Sequence, residues 1–168
     1  MQQQASEILV LMENALGEKK TVSPVLDRIL EVLRGRAIGL WRCGKGKLIQ
    51  IGFRAVPQMD EQIRRQFAEF TQEVSLENTG LGIVKAVVER IPAIGTLQGK
   101  ESGLPGSSEW LQKFEAKQSY AVPIFEGNQV VGVLAISTNG IHQPGDAEWE
   151  ILAKIAAGMG EKKLLGML

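Results

Sequence analysis

The chain has a single thiol, that of Cys43, and a single imidazole, that of His142. A thiolate is a nucleophile and a metal ligand, and histidine is the usual general base near neutral pH. Together they are too few for a conventional zinc site, which takes three or four protein ligands. A Ser-His-Asp hydrolase would have to use His142 as its base. That residue sits in "NGIHQPGD", a polar turn that predicts a solvent-exposed loop histidine. Cys43 ends the apolar run "RAIGLWRC" and reads as a buried or half-buried inert thiol. The turn "RCGKGK", with Arg36 nearby, is locally basic. It lacks the longer glycine-rich span ending in Gly-Lys-Ser/Thr that a phosphate loop requires, and reads as a solvated hairpin tip. No catalytic residue, metal or cofactor is expected from these patterns.

The remaining chemistry lies in the aromatic side chains, Trp41, Phe53, Phe67, Phe70, Trp110, Phe114, Tyr120, Phe125 and Trp149. Apolar clefts with a few polar groups are the default small-molecule sites. Whether these rings form such a cleft depends on the elements that carry them.

Ile8, Leu11, Met12 and Ala15 share one face of a helix that stops at Gly17. "TVSPVLDRILEVLRGRA" is the clearest amphipathic helix, with Leu26, Ile29, Leu30 and Leu33 on one face, Ser23 as N-cap and Pro24 in the first turn. "RAIGLWRC" and "KLIQIGFRA" predict two strands joined by a glycine turn. "DEQIRRQFAEFTQEV" predicts a helix with Ile63, Phe67, Phe70 and Val74 inward. "TGLGIVKAVVER" predicts a shorter helix and "IPAIGTL" a short strand. Residues 95–108 form a glycine- and serine-rich loop, and loops of that length are often functional. One or two helical turns follow in "SSEWLQKFEA", with Ser108 as cap.

The stretch "SYAVPIFEGNQVVGVLAIST" holds two strands joined by Gly127-Asn128. They are apolar on both faces, so both faces must be covered. Pro123 predicts a bulge or an edge at that point. A last helix carries Trp149, Leu152, Ile155, Ala156 and Met159. This order predicts an α+β fold: a central, mostly antiparallel sheet of five or six strands with helices on both faces.

The 168 residues suggest one domain, with a core that needs no disulfide or metal staple. Nineteen basic residues balance nineteen acidic ones, which argues against a generic nucleic-acid or anionic-membrane partner. One cysteine forms no internal disulfide, and "MQQQASEILVLMENALGEKK" does not read as a signal peptide. A cytoplasmic protein is expected.

"NTGLGIVKAVVERIPAIGTL", then "EWLQKFEAKQSYAVPIFEGNQVVGVLAIST", then "GDAEWEILAKIAAGMG" resembles a GAF domain in the order and spacing of its parts. Val122-Pro123-Ile124 matches one family strand and Gly132-Val133-Leu134 the next. The resemblance divides the chain into an N-terminal helix and connection (1–21), a GAF-like domain (22–162) and a C-terminal tail (163–168). It implies a sheet of the GAF/PAS type with a small-molecule pocket on the face away from the terminal helices. The expected pocket residues are Phe70, Ile83, Gln98, Trp110, Phe114 and Tyr120. It also implies pairing of the terminal helices between subunits. Leu26, Ile29, Leu33, Trp149, Leu152 and Ile155 are the expected homodimer residues, because one sheet face looks too small to bury three apolar stripes.

Departures from the family's patterns narrow the function. Ser107 and Ser108 lie near the place where bilin-bearing members carry an attachment cysteine. The cyclic-nucleotide signature meets Gly140 where lysine would stand after Asn139. Reductases of free methionine sulfoxide use resolving cysteines, and thiol–disulfide turnover within one chain needs two sulfurs. The expected function is a stand-alone regulatory module, not an enzyme. It would bind an unidentified small molecule non-covalently and signal to a separate protein. The alternative is an interaction module with a collapsed pocket, and after it a reductase using Cys43.

Overall fold

The computed structural model describes residues 2–98 and 103–168. Six strands form one antiparallel sheet: β1 (Gly35–Gly44), β2 (Lys47–Ala55), β3 (Glu73–Ser75), β4 (Ala93–Thr96), β5 (Gln118–Glu126) and β6 (Gln129–Thr138). Their order across the sheet is β3-β2-β1-β6-β5-β4. Among the described residues six α-helices surround it: α1 (Gln2–Gly17), α2 (Ser23–Leu33), α3 (Glu61–Phe70), α4 (Gly82–Glu89), α5 (Pro105–Phe114) and α6 (Ala147–Glu161). This is the expected α+β architecture with helices on both faces.

Both hairpins turn where the sequence demands. Lys45 and Gly46 take positive φ between β1 and β2, and Gly127 does so between β5 and β6. β4 pairs only with Gln118–Ala121 of β5. Pro123 therefore lies where β5 has one neighbour, beside a register shift at Ile124/Phe125. A residue without an N–H is tolerated there.

Alternation along the strands sorts side chains into two cores. Ile38, Leu40, Tyr120, Val122, Ile124, Leu134 and Ile136 face α2 and α6. Trp41, Ala121 and Val133 face the opposite way, under α4. The two terminal stripes find their partners inside one chain. Leu26, Ile29, Leu33, Trp149, Leu152 and Ile155 are all buried in the first core. The expectation that they are left for a dimer contact is corrected by a third layer. α1 does not compete for the sheet; it rests on α6, α2 and a closing 3-10 helix, Leu164–Met167. Ile8, Met12 and Leu16 are buried there, while Leu11 is exposed. Fully burying each of these large side chains stabilises by about 1.5–3 kcal/mol. The segments drawn as a separate N-terminal connection and C-terminal tail thus pack into the same core: Leu164 and Leu165 are buried too. α6 comes so near β5 that a Cβ on Gly160 would fall on the Phe125 carbonyl.

Three local expectations need correction. α3 stops at Phe70 instead of running to Val74. Thr71 is fully buried, its Oγ1 donates to the Phe67 carbonyl, and its own carbonyl accepts from Trp41 Nε1 at 2.7 Å. These bonds hold the chain to the sheet, and Val74 enters β3. Ser23 is the first residue of α2 and makes no side-chain cap. α5 starts at Pro105, a favourable first-turn residue, so Ser108 lies inside the helix. Its hydroxyl donates to the Leu97 carbonyl at 2.6 Å and ties α5 to the end of β4. The middle of the loop expected at 95–108, residues 99–102, lies outside the described residues.

Candidate functional site

The face of the sheet away from the terminal helices is floored by small side chains. Cross-strand pairing sets Ala37, Ser137, Ser119 and Gly95 side by side across β1, β6, β5 and β4. The neighbouring row is Gly39, Ala135, Ala121 and Ala93. Directly opposed residues in antiparallel strands point the same way, so two rows of Gly, Ala and Ser lie beneath α3, α4 and α5. Large side chains close over this floor: the Trp41 ring lies on Gly39, where a Cβ would collide with it, and Phe53 from the sheet, Phe67 from α3 and Trp110 and Phe114 from α5 stand around it. A cavity of about 70 Å³ remains between floor and lid.

The lid is a set of touching rings centred on Phe67. Its centroid lies 4.9 Å from Phe53, 5.0 Å from Trp110 and 5.0 Å from Phe114. The last two are edge-on, and such contacts add about 0.5–1.5 kcal/mol each beyond burial. Asp60 starts α3 by accepting the Gln62 and Ile63 N–H groups on Oδ1. Lys113 Nζ sits 4.3 Å from the Trp110 ring centroid.

Three hydroxyls line the cavity among the described residues. Ser107 Oγ accepts the Gly82 N–H at 2.8 Å, joining α5 to the first turn of α4. Ser119 and Ser107 converge over Gly95, where a Cβ would collide with Ser119 Oγ and sit 3.1 Å from Ser107 Cβ. Ser137 is 5% exposed, and its Oγ is buried without a hydrogen-bond partner. Among the described residues, none that lines the cavity has an ionisable side chain.

The residues expected from sequence divide into two groups. Ile83, Trp110 and Phe114 line the cavity. Phe70 does not: it is the last residue of α3, 48% exposed, with its ring centroid 5.6 Å from that of Trp110. Gln98 is exposed beyond the end of β4. Tyr120 is on the wrong face. Its parity in β5 is that of Val122 and Ile124, and it stacks on Trp149 at 4.0 Å among the terminal helices. Sequence reasoning missed Ser107, Ser119, Ser137 and Gly39. The available signal was the alternation itself: Ser119 and Ala121, like Ala135 and Ser137, are small on the face where Tyr120, Val122, Leu134 and Ile136 are not.

The single thiol and the single imidazole lie away from this cavity. Cys43 is half-buried near the end of β1, and burial pushes its thiol up to about 11. It is therefore protonated at neutral pH and a weak nucleophile. His142 is not the solvent-exposed residue expected, with its side chain 18% exposed. Its backbone is clamped by Gln118, whose Oε1 accepts the His142 N–H at 2.8 Å and whose Nε2 donates to the carbonyl at 3.0 Å. Its Nδ1 lies 3.6 Å from Glu148 Oε2. In the basic turn, Lys47 pairs with Glu73 at 3.1 Å. Among the described residues, no helix is long and apolar enough to cross a membrane, and no group of three His, Cys, Asp or Glu could hold a metal ion.

No family model and no curated protein sequence matches the chain. Solved structures do match it in shape. A phycoerythrobilin-bound GAF domain from a cyanobacterial phytochrome superposes with a TM-score of 0.64 at 10% identity, over 97% of this chain and 94% of that one. The GAF domain/HD domain protein from Geobacter sulfurreducens gives 0.64 at 14% identity, over 97% of each chain. The type II free methionine-R-sulfoxide reductase from Thermoplasma acidophilum gives 0.59 at 14% identity, over 92% of this chain and 94% of that one. The strand order, the two cores and these superpositions agree: the chain has the fold of GAF domains.

Proposed function

We propose that this chain is a regulatory module that binds a small molecule non-covalently between its sheet and α3–α5, without transforming it, and passes the state of that site to a separate protein. The observation that carries this reading is the floor of small residues under an aromatic lid, with the buried Ser137 hydroxyl left unpaired inside it. A core selected for packing alone would fill that space and pair that hydroxyl. The absence of ionisable groups from the described lining supports binding without chemistry, and so does the raised pKa of Cys43. A cavity of about 70 Å³ is far too small for a tetrapyrrole of the kind bound in the phytochrome domain.

A second reading is favoured by the same small volume: the rings fill most of the space, as in an interaction module with a collapsed pocket. Mass measurement of the protein under native conditions separates the two. Binding predicts an added mass that leaves on denaturation and is lost in Trp110→Ala. A clean apo mass, with no stabilisation by a panel of small metabolites, favours the interaction module. Homodimerisation remains part of the proposal, but on different residues. With the terminal stripes buried, a contact through the end helices would use the exposed Val10 and Leu11 of α1.

A further inference from the structure

The hydroxyls that line the cavity stand together. Ser137 and Ser119 are directly opposed on β6 and β5. Ser107 reaches over Gly95 to the same place. The Ser107 oxygen already accepts the Gly82 N–H, so its own hydrogen is free to donate outward. The Ser137 hydroxyl is more than nine-tenths buried and has no partner within the protein. The wall beside them is the first turn of α4, Leu81 to Ile83. The N–H groups of a helix's first turn have no acceptor within the helix, and they carry its positive dipole end. This end of the cavity therefore offers hydrogen-bond donors. Its other walls are the rings of Trp41, Phe67 and Trp110.

We infer that the ligand is the anion of a short-chain carboxylic acid, with its carboxylate against the hydroxyls of Ser107, Ser119 and Ser137 and its chain among the rings. This rests on the cavity being a ligand site, as proposed above. The class follows from charge and size. A buried carboxylate is tolerated only where several donors meet it, and helix N-termini are ready anion sites. A buried amine would meet the wrong end of the α4 dipole, with no carboxylate in the described lining to pair with it. The cavity of about 70 Å³ is near half the size of one that accepts benzene, which limits the acid to fewer heavy atoms than benzene has, about two or three carbons in all. Ser137 is the selective element, because its hydroxyl gains a partner only when the acid is bound.

The test is a titration of the isotope-labelled full chain with acetate and propionate, followed by amide NMR. Propionamide and propanol serve as neutral probes and xenon as a probe of the bare cavity. The expected result is saturable shifts at Gly82, Ser119 and Ser137 with the acids, and binding at least about tenfold weaker in Ser137→Ala, as for loss of a hydrogen bond to a charged group. The amide should bind more weakly than the acid. Equal or tighter binding of the neutral probes overturns the carboxylate assignment while leaving the cavity a ligand site. Shifts confined to surface residues and unchanged in Ser137→Ala overturn it as well. If neither acids, neutral probes nor xenon perturb the cavity residues, the site itself is refuted.

Discussion

Replacing Ser137 with alanine should make the unliganded protein more stable. The side chain is 5% exposed and its Oγ has no hydrogen-bond partner. Burying a hydroxyl without a partner costs about 1–3 kcal/mol by mutational measure. Alanine keeps the Cβ and loses only the packing of one oxygen, a few tenths of a kcal/mol. The net gain is about 0.5–2 kcal/mol. With a urea slope of about 2 kcal/mol per M, the unfolding midpoint should rise by about 0.25–1 M. Ser108→Ala is the internal control. That serine is equally inaccessible, but its Oγ donates to the Leu97 carbonyl at 2.6 Å. Its loss should lower stability by about 1 kcal/mol. Urea unfolding followed by tryptophan fluorescence measures both. If Ser137→Ala falls as far as Ser108→Ala, the Ser137 hydroxyl is paired in solution. The case for a floor waiting for an acceptor then fails.

Other consequences are equally direct. Gly160→Ala should destabilise by about 1–3 kcal/mol or more, seen in a thermal melt, because its Cβ would meet the Phe125 backbone carbonyl, which cannot turn aside. Cys43 should be alkylated about a hundredfold more slowly at neutral pH than a free cysteine, since burial lifts its thiol from the usual 9.0 to about 11. The rate should keep rising with pH until about 11, whereas a plateau near 9 would mean an exposed thiol. Gln118→Leu should leave the His142 N–H and carbonyl unpaired, at about 1–3 kcal/mol for each buried group. Hydrogen exchange at the His142 amide should then lose its protection.

How far the fold could be read from the sequence depended on whether the deciding forces were local. Helix α2, both hairpins and the two-faced strands β5 and β6 follow from periodicity and turn chemistry, and they stand where expected. The end of α3 was not legible. The pattern Ile63, Phe67, Phe70, Val74 continues the helix, and bonds from the distant strands stop it: Trp41, thirty residues away in sequence, donates to the Thr71 carbonyl, and Gln50 donates to Ala68, Thr71 and Gln72. The fate of the terminal stripes was a question of layers: no single helix announces that α1 will lie on α6 rather than on the sheet. The site failed for a different reason. Attention to large aromatics found Trp110 and Phe114, but a cavity is made by what is small. Register decides that Ser119 and Ser137 meet, and parity decides that Tyr120 turns away from them.

The two faces of the sheet therefore differ in what they can do. On the terminal-helix face, large side chains interlock through two helical layers, and α6 touches the β5 backbone at Gly160. Close-packed layers of this kind resist small displacements. On the other face, the polar ties of α5 include Ser107 Oγ to Gly82, the Ser107 N–H to the Gly80 carbonyl, Ser108 to Leu97, and its last carbonyl, Phe114, to Arg36 Nε at 3.1 Å. The serine ties belong to residues at or beside the cavity, and the last one reaches β1. A ligand that accepts the Ser107 hydrogen acts on the same hydroxyl that joins α5 to α4. The shortest route from an occupied cavity to the surface thus runs through α5 and its Trp110, not through the buried stripes of the terminal helices. A partner that reads this module would find the altered surface on the α3–α5 side.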